Sequence, residues 1–372
     1  MPADVGNFTS IILNRLFAYQ HHTGNVGLSG ISLYVMLGII KFGTKGTSFE
    51  QLSNIIDDRF EDIYTENWRR SFASRYWNTL RHNAQTHAFM RSAIIYSCSL
   101  YYHYQEISDF LFGMEKIKVN ISNSAESARE VDEWVSDNTQ ISFKNVIDES
   151  ILSENKIIFI NTFSYRSDWT KNFDASLTKY ETFYDEKGRQ LMVPMMNQQS
   201  FNYIYDSITH NFRVLFKSCV QEYVFSAIVL PRQGYKIKDV LKNFNIDEMH
   251  TYFMESEFHY VKLKLPRFNI SRQTDFLHTF KDFGITNIFD INHSDFGQMT
   301  NDTVFIGNII QVSNLVIDEL NDRAIASEET NDDKSLLMPK EFYVKRPFLF
   351  FVYVYNNQNV PLGAVVTNPN AT

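Results

Sequence analysis

Residues 321–342 read NDRAIASEETNDDKSLLMPKEF, a mostly polar run set between two stretches patterned like β-strands. Upstream, Val312-Ser-Asn-Leu-Val-Ile-Asp-Glu-Leu320 spaces its apolar residues as a strand does; downstream, Arg346-Pro347 leads into Phe348-Leu-Phe-Phe-Val-Tyr-Val-Tyr355. Connections longer than roughly 12–15 residues without regular structure are uncommon in compact domains and are usually functional or disordered. A core strand on either side makes a functional loop the reading to pursue.

The rest of the chain has the material for a large core. Hydrophobic residues make up 44% and aromatic residues 15% of 372 positions, which excludes a disordered chain and allows two average domains or one large one. A formal charge of −8, with no run of five or more Lys/Arg, argues against a nucleic-acid partner. Two cysteines, Cys98 and Cys219, make no disulfide framework; one bridge stays open, and two separate buried thiols are the favoured reading. The first twenty residues lack a basic segment, and their apolar run is only Ile11-Ile12-Leu13, which does not read as a signal peptide. The run Phe348–Tyr355 is too short to span a bilayer. The expectation is a soluble, cytoplasmic protein with no membrane partner, with secretion by another route left open.

Helical patterns dominate the first third. Phe8, Ile11, Ile12, Leu16 and Phe17 predict an amphipathic helix over about 7–21, and the nearly all-apolar Ser32–Phe42 predicts a buried one. Thr47-Ser48 before Glu50 resembles an N-cap for a helix from Phe49 to Ile56. Residues 67–83 and Ala125–Val135 complete the helical set. From about 156 onward strands take over: Lys156–Phe163, Tyr223–Pro231 and the alternating Phe258–Pro266, followed by a helix over Thr274–Phe283 ending at Gly284. With no repeat or linker, this is one α+β domain over residues 1–372, helices mainly first and a mainly antiparallel sheet system later.

Catalytic signatures are missing. Gly38–Ser48 mimics a phosphate loop, but Thr44 separates the second glycine from Lys45, and the segment reads better as a turn between helices. Ten histidines include no HExxH and no Cys/His ligand spacing, so no metal site is predicted. Ser29 in Gly27-Leu-Ser-Gly30 falls one residue short of a GxSxG elbow. Neither an enzyme nor a cofactor is expected.

Several stretches, taken in order, resemble the serpins. Asn25-Val-Gly-Leu-Ser-Gly-Ile-Ser32 is similar to that family's N-I-F-F-S-P-x-S, and Asn161-Thr-Phe-Ser-Tyr-Arg-Ser-Asp-Trp169 to its N-A-I-Y-F-K-G-x-W. Val193-Pro-Met-Met196, Leu265-Pro-Arg-Phe268, Phe283-Gly-Ile-Thr-Asn-Ile-Phe289 and Arg346-Pro-Phe-Leu-Phe-Phe351 through Gly363 and Pro369 continue the match over about residues 7–369. The Asn-, Ile-, Phe- and Tyr-rich composition further resembles the poxvirus serpins. The resemblance implies a single serpin-like domain, monomeric, with a central sheet, further sheets and an exposed reactive-centre loop at about 321–342. A serine protease cleaves such a loop and is trapped as an acyl-enzyme while the cut segment inserts into the central sheet.

Under that reading the hinge comprises Asn321, Arg323, Ala324, Ala326, Glu328 and Thr330, with Arg323 in the place of the family's hinge glycine. Ala324, Ala326 and Thr330 suit a sheet interior; Glu328 does not. The register shifted by one sends Arg323, Ile325, Ser327 and Glu329 inward, so a carboxylate is buried either way. Weak or lost inhibition follows, with a non-inhibitory protein- or ligand-binding role as the alternative. The scissile bond falls near Leu336, Leu337 and Met338, which suits a chymotrypsin-like protease; Lys334 is the alternative bait for a trypsin-like one. Ser32, Asn161, Trp169 and Ser313 mark the expected sheet-opening region, with Ser313 where a gating histidine is common, and Gly30 replaces a usual proline.

Overall fold

The structure, a computed structural model, describes residues 3–56, 60–153, 155–319 and 338–371. In chain order the regular elements begin with α1 (Ala3–Tyr19), β1 (Val26–Leu28), α2 (Gly30–Gly43), α3 (Gly46–Ser53) and α4 (Phe72–Gln85). They continue with β2 (Phe89–Tyr96), α5 (Tyr102–Phe110), β3 (Met114–Lys118), α6 (Ser124–Thr139) and β4 (Lys156–Arg166). Next come β5 (Lys179–Tyr184), β6 (Gln190–Tyr205), β7 (Phe212–Ser218), β8 (Val224–Pro231), α7 (Ile237–Asn243) and α8 (Met249–Met254). The last are β9 (Glu257–Pro266), β10 (Phe268–Asp275), α9 (Leu277–Asp282), β11 (Phe305–Ile317), β12 (Lys340–Tyr343), β13 (Phe348–Val354) and β14 (Asn359–Val366). The α+β class and its helices-first order agree with the sequence reading.

Two compact units share these elements, and β4, β10 and β11 run through both. The first holds residues 1–28, 165–270 and 315–372 and contains a nine-stranded sheet, β1-β14-β13-β8-β7-β6-β9-β12, with β5 paired to β6. Its pairings are antiparallel except β12 on β9. The aromatic run at 348–354 becomes β13, buried at every residue because it lies between β14 and β8. Phe351 pairs with Gly363, where a Cβ would meet the Phe351 ring at 2.5 Å. That contact is the physical reason for a glycine in the middle of this buried strand.

The second unit holds residues 29–164 and 271–314. Here the five-stranded order is β10-β11-β4-β2-β3, with β2 antiparallel to β4 and parallel to β3. One face is covered by α6, whose Val131 and Val135 pack with Ile95, Ile158, Ile160, Ile310 and Val312. The four-residue spacing of Val131, Val135 and Thr139 puts them on one stripe, as an amphipathic helix requires. Helix α6 stops where Gln140 turns left-handed (φ 59°), and Asn314 Nδ2 donates to the Thr139 carbonyl at 2.9 Å. Helix α2 is buried at all of its residues, as its apolar circumference predicts.

Several boundaries move. Helix α3 starts at Gly46, so Thr47 and Ser48 lie inside its first turn and Lys45 is the N-cap residue, without a side-chain cap. Ser48 Oγ instead accepts from the Asp295 amide at 3.1 Å. The expected helix over 67–83 divides into a 3₁₀ turn at Trp68–Arg70 and α4, because Ser71 breaks helical geometry and caps α4 through the Ser74 amide. Helix α9 is shorter than Thr274–Phe283, since β10 continues through Asp275. Cys98 and Cys219 are buried free thiols.

Gly38 sets how closely α2 approaches its neighbours: a Cβ there would lie 2.5 Å from the Trp77 ring and 2.9 Å from Phe112. Alanine gains about 1 kcal/mol of helix propensity, but overpacking a rigid buried ring costs about 1–3 kcal/mol. Gly38→Ala is therefore expected to lower the thermal midpoint by up to roughly 3 °C, checked by differential scanning calorimetry; a raised midpoint would show that Trp77 yields.

Candidate functional site

Strands β4 and β11 lie side by side, and a buried polar network sits under the seam between them. Its hub is Gln311 on β11. The Gln311 side-chain amide donates to Asn161 Oδ1 at 2.8 Å, to the Ser29 carbonyl at 3.1 Å and to Ser32 Oγ at 3.2 Å. Its oxygen accepts from the Ser29 amide at 3.0 Å. Ser32 Oγ donates to Asn161 Oδ1 at 2.7 Å, and Asn161 Nδ2 donates to the Arg91 carbonyl and Ser92 Oγ, both at 3.0 Å. Every side chain in this set is neutral, and Ser29, Ser32, Asn161 and Gln311 are buried. Neutral groups avoid the desolvation cost of burying charge, and their donors and acceptors find partners among themselves and the backbone.

Of the residues named for the sheet-opening region, the network brings Ser32 and Asn161 together, while Ser313 lies outside it and donates to the Arg272 carbonyl at 3.1 Å. Strand alternation puts residues 311 and 313 on one face, and it is the residue two positions earlier that reaches Asn161. Gln311 was missed in the sequence. The available signal was a long amide isolated between Ile310 and Val312 in an otherwise buried strand. Ser29 does sit at a strand–helix turn, between β1 and α2, but its hydroxyl caps α2 by accepting from the Ser32 amide at 3.4 Å and also lies 3.5 Å from Met90 Sδ.

Beyond the end of the network, charged groups hold the last residues of β11 and those after it. The Ser167 amide donates to the Val316 carbonyl at 3.2 Å. Arg166 grips Asp318 at two points, Nη2 at 2.8 Å and Nε at 3.3 Å. The next residue, Glu319, is buried, accepts from Thr178 Oγ1 at 2.7 Å and lies 3.6 Å from Arg267 Nη1. Trp169 is buried, donates from Nε1 to Ser226 Oγ at 2.9 Å and meets Phe173 edge-on. The buried Lys217 ammonium lies over both rings and donates to the Lys171 carbonyl and Gln198 Oε1. Near it, burial pushes the Cys219 thiol up from its ordinary range.

The hinge residues Asn321, Arg323, Ala324, Ala326, Glu328 and Thr330, and the bait candidates Lys334, Leu336 and Leu337, lie outside the described residues. Met338 is described and is 97% exposed, two residues before β12 begins at Lys340 and runs parallel to β9.

Because the network is shared, its members act as a unit. Gln311→Ala takes one hydrogen-bond partner each from Asn161 Oδ1, the Ser29 carbonyl and the Ser29 amide and is expected to cost about 1–3 kcal/mol in urea unfolding. The Gln311→Ala/Asn161→Ala double variant should lose clearly less than the sum of the singles; strict additivity would show two independent contacts.

Comparison with known proteins bears on the family and the fold. The family described as serpin (serine protease inhibitor) matches residues 4–369. A leukocyte elastase inhibitor of Xenopus tropicalis is 24% identical over 360 residues, covering 92% of this chain and 93% of the relative. Human antithrombin-III is 21% identical, covering 96% and 78%. Among solved structures, native protease nexin-1 with heparin superposes with a TM-score of 0.82 at 18% identity, covering 99% of each chain. Human thyroxine-binding globulin in complex with its ligand gives 0.81 at 18% identity, covering 99% and 98%. At such identities the structural likeness speaks for the fold.

Proposed function

The chain belongs to the serpin family, and on that footing we propose that its reactive-centre loop is the segment expected at about 321–342, which ends earlier than that because β12 begins at Lys340; the loop is a bait for a serine protease, and its insertion after cleavage is slowed by charge. Its relatives by sequence include protease inhibitors by name, and the loop joins β11, on one side of the β4–β11 seam, to β12 at the edge of the nine-stranded sheet. The fully exposed Met338 supports cleavage around Leu336–Met338 by a chymotrypsin-like enzyme, with Lys334 as the trypsin-like alternative. Composition supports a poxvirus-type serpin acting as a cytoplasmic monomer, and the chain is a binding protein rather than an enzyme.

One observation carries the weakened insertion. Alternate side chains of an inserting strand enter the sheet interior, and this hinge presents either Glu328 or Arg323 and Glu329. Burying an unpaired carboxylate costs several kcal/mol or forces protonation. Trapping is a race between insertion and hydrolysis of the acyl-enzyme, and about 1.4 kcal/mol on a barrier is tenfold in rate. A modest share of the burial cost in the transition state therefore releases the protease. A non-inhibitory binding role is the second reading, favoured by the fold shared with thyroxine-binding globulin.

The test is to nick the loop between residues 334 and 340 with a broad-specificity protease and follow the thermal midpoint. Wild-type protein is expected to gain little and slowly. The triple variant Arg323→Ala/Glu328→Ala/Glu329→Ala, which removes these inward charges in either register, should gain stability quickly and form more covalent complex with chymotrypsin-like proteases on denaturing gels. A wild-type gain as large and as fast as the variant's would sink the charge argument; no gain in either would favour the binding role.

A further inference from the structure

We propose that Arg213 and Lys340, gathered beside Asp206 in the first unit, form a binding site for a phosphate dianion, either the free ion or the phosphate of a small monoester. Four separate stretches supply its residues. Asp206 follows the last residue of β6, Arg213 is the second residue of β7, Arg232 follows β8 and Lys340 opens β12. Strand alternation puts Lys340 and Phe342 on one face of β12 and Glu341 on the other. The Arg213 guanidinium lies over the Phe342 ring, 5.1 Å from its centroid. Nothing in the site depends on loop insertion.

The cations share one carboxylate unequally. Arg232 Nη2 donates to Asp206 Oδ1 at 2.5 Å, and its other bonds run to the Ser207 and His210 carbonyls, both at 2.9 Å. Asp206 Oδ2 is 3.8 Å from Arg213 Nη1 and 3.6 Å from Lys340 Nζ, beyond hydrogen-bond length. Arg346 is taken up by the Pro231 carbonyl, through Nε at 3.0 Å and Nη2 at 2.5 Å; burial and then the Arg213 charge push its guanidinium down from the ordinary range. Arg213 and Lys340 thus make no hydrogen bond among the described residues, although the Arg213 side chain is only 23% exposed. A largely covered guanidinium has five N–H donors whose desolvation an oxyanion offsets. Arg213, Arg232 and Lys340 carry three positive charges against the single charge of Asp206, a local excess of two in a chain of formal charge −8. A dianion matches that excess, and a tetrahedral one offers two oxygens to the guanidinium fork and a third to the ammonium. A carboxylate ligand supplies one charge and two oxygens. Asp206 is then the built-in competitor of the ligand.

The experiment titrates the full-length protein with inorganic phosphate and with glycerol phosphate by calorimetry. It is run near neutral pH, where both ligands are largely dianionic, with ionic strength held constant by NaCl. Wild type, Arg213→Gln, Lys340→Gln and Asp206→Asn are compared, and the thermal midpoint of each without phosphate reports that it is folded. Saturable binding of one equivalent is expected. Arg213→Gln and Lys340→Gln should each weaken it by at least about fivefold, as the loss of a charge-assisted hydrogen bond does. Asp206→Asn keeps an acceptor for Arg232 while removing the competing charge, and should tighten binding by about two- to fivefold. That gain is one a merely structural role of Asp206 would not produce. Lys340, at the exposed start of a four-residue strand, keeps the test decisive if Arg213→Gln does not fold. Saturation by inorganic phosphate alone assigns the site to the free ion, and saturation by both ligands extends it to monoesters. Saturation by neither would overturn the site. So would binding that Lys340→Gln leaves unchanged, or a loss in Asp206→Asn equal to that in Lys340→Gln.

Discussion

The Gln311 carboxamide, shared among Ser29, Ser32 and Asn161, fixes β11 against β4. A hydrogen bond of this kind contributes only about 1 kcal/mol net, but a buried donor or acceptor left without a partner costs about 1–3 kcal/mol. The seam is consequently held less by the strength of its contacts than by the cost of leaving them half made. Opening it removes Gln311 from Asn161 at once, so the sheet resists small separations. Insertion of a strand requires those groups to find new partners. A bistable element of this type has two well-satisfied arrangements and poor intermediates, which suits a structure that changes state once.

The apolar framework surrounding the network makes the same demand. Helix α2, buried all round, brings Ser29 and Ser32 to the seam, and it reaches that position because Gly38 lets it approach Trp77. On the other face, Val131 and Val135 of α6 seal the strands that carry Asn161 and Gln311. Asn314 links β11 to the end of α6 and also to Ser164 of β4 at 3.3 Å. A strand inserted there, as the proposed mechanism requires, would disturb helix, sheet and network together, so the contacts would give way cooperatively rather than one at a time.

What was legible in the sequence follows from what local pattern records. Strands such as 348–354 and 257–266 announce themselves because β-branched and aromatic residues, or strict alternation, report burial directly. The ordered motifs around Asn161, Trp169 and Leu265 carry the resemblance that implies the fold, although the side chains of Asn161 and Trp169 are held by residues far away in sequence. Boundaries set by a distant partner were hidden: Ser48 looks like a cap until its hydroxyl is seen on the Asp295 amide. Gln311 was hidden for the same reason, because a single amide in an apolar strand says nothing about which of 311 and 313 meets Asn161. The Arg166–Asp318 fork spans more than 150 positions of sequence, and no spacing rule connects them.

Charge enters the proposed mechanism in two places with different magnitudes. An exposed or half-exposed ion pair is worth about 0.2–1 kcal/mol, with well-formed arginine forks at the upper end; Arg166–Asp318 is of this kind. A carboxylate carried into the interior without a partner costs several kcal/mol, and a hinge register that buries Glu328 or Glu329 incurs that cost. In the proposed mechanism the larger quantity raises the inserted state, and its share in the transition state slows entry into it. The smaller one belongs to a pair open to solvent and weakens with salt. The hinge charges would thus set both how far and how fast insertion proceeds, whereas the neutral Gln311 network responds to neither charge nor salt.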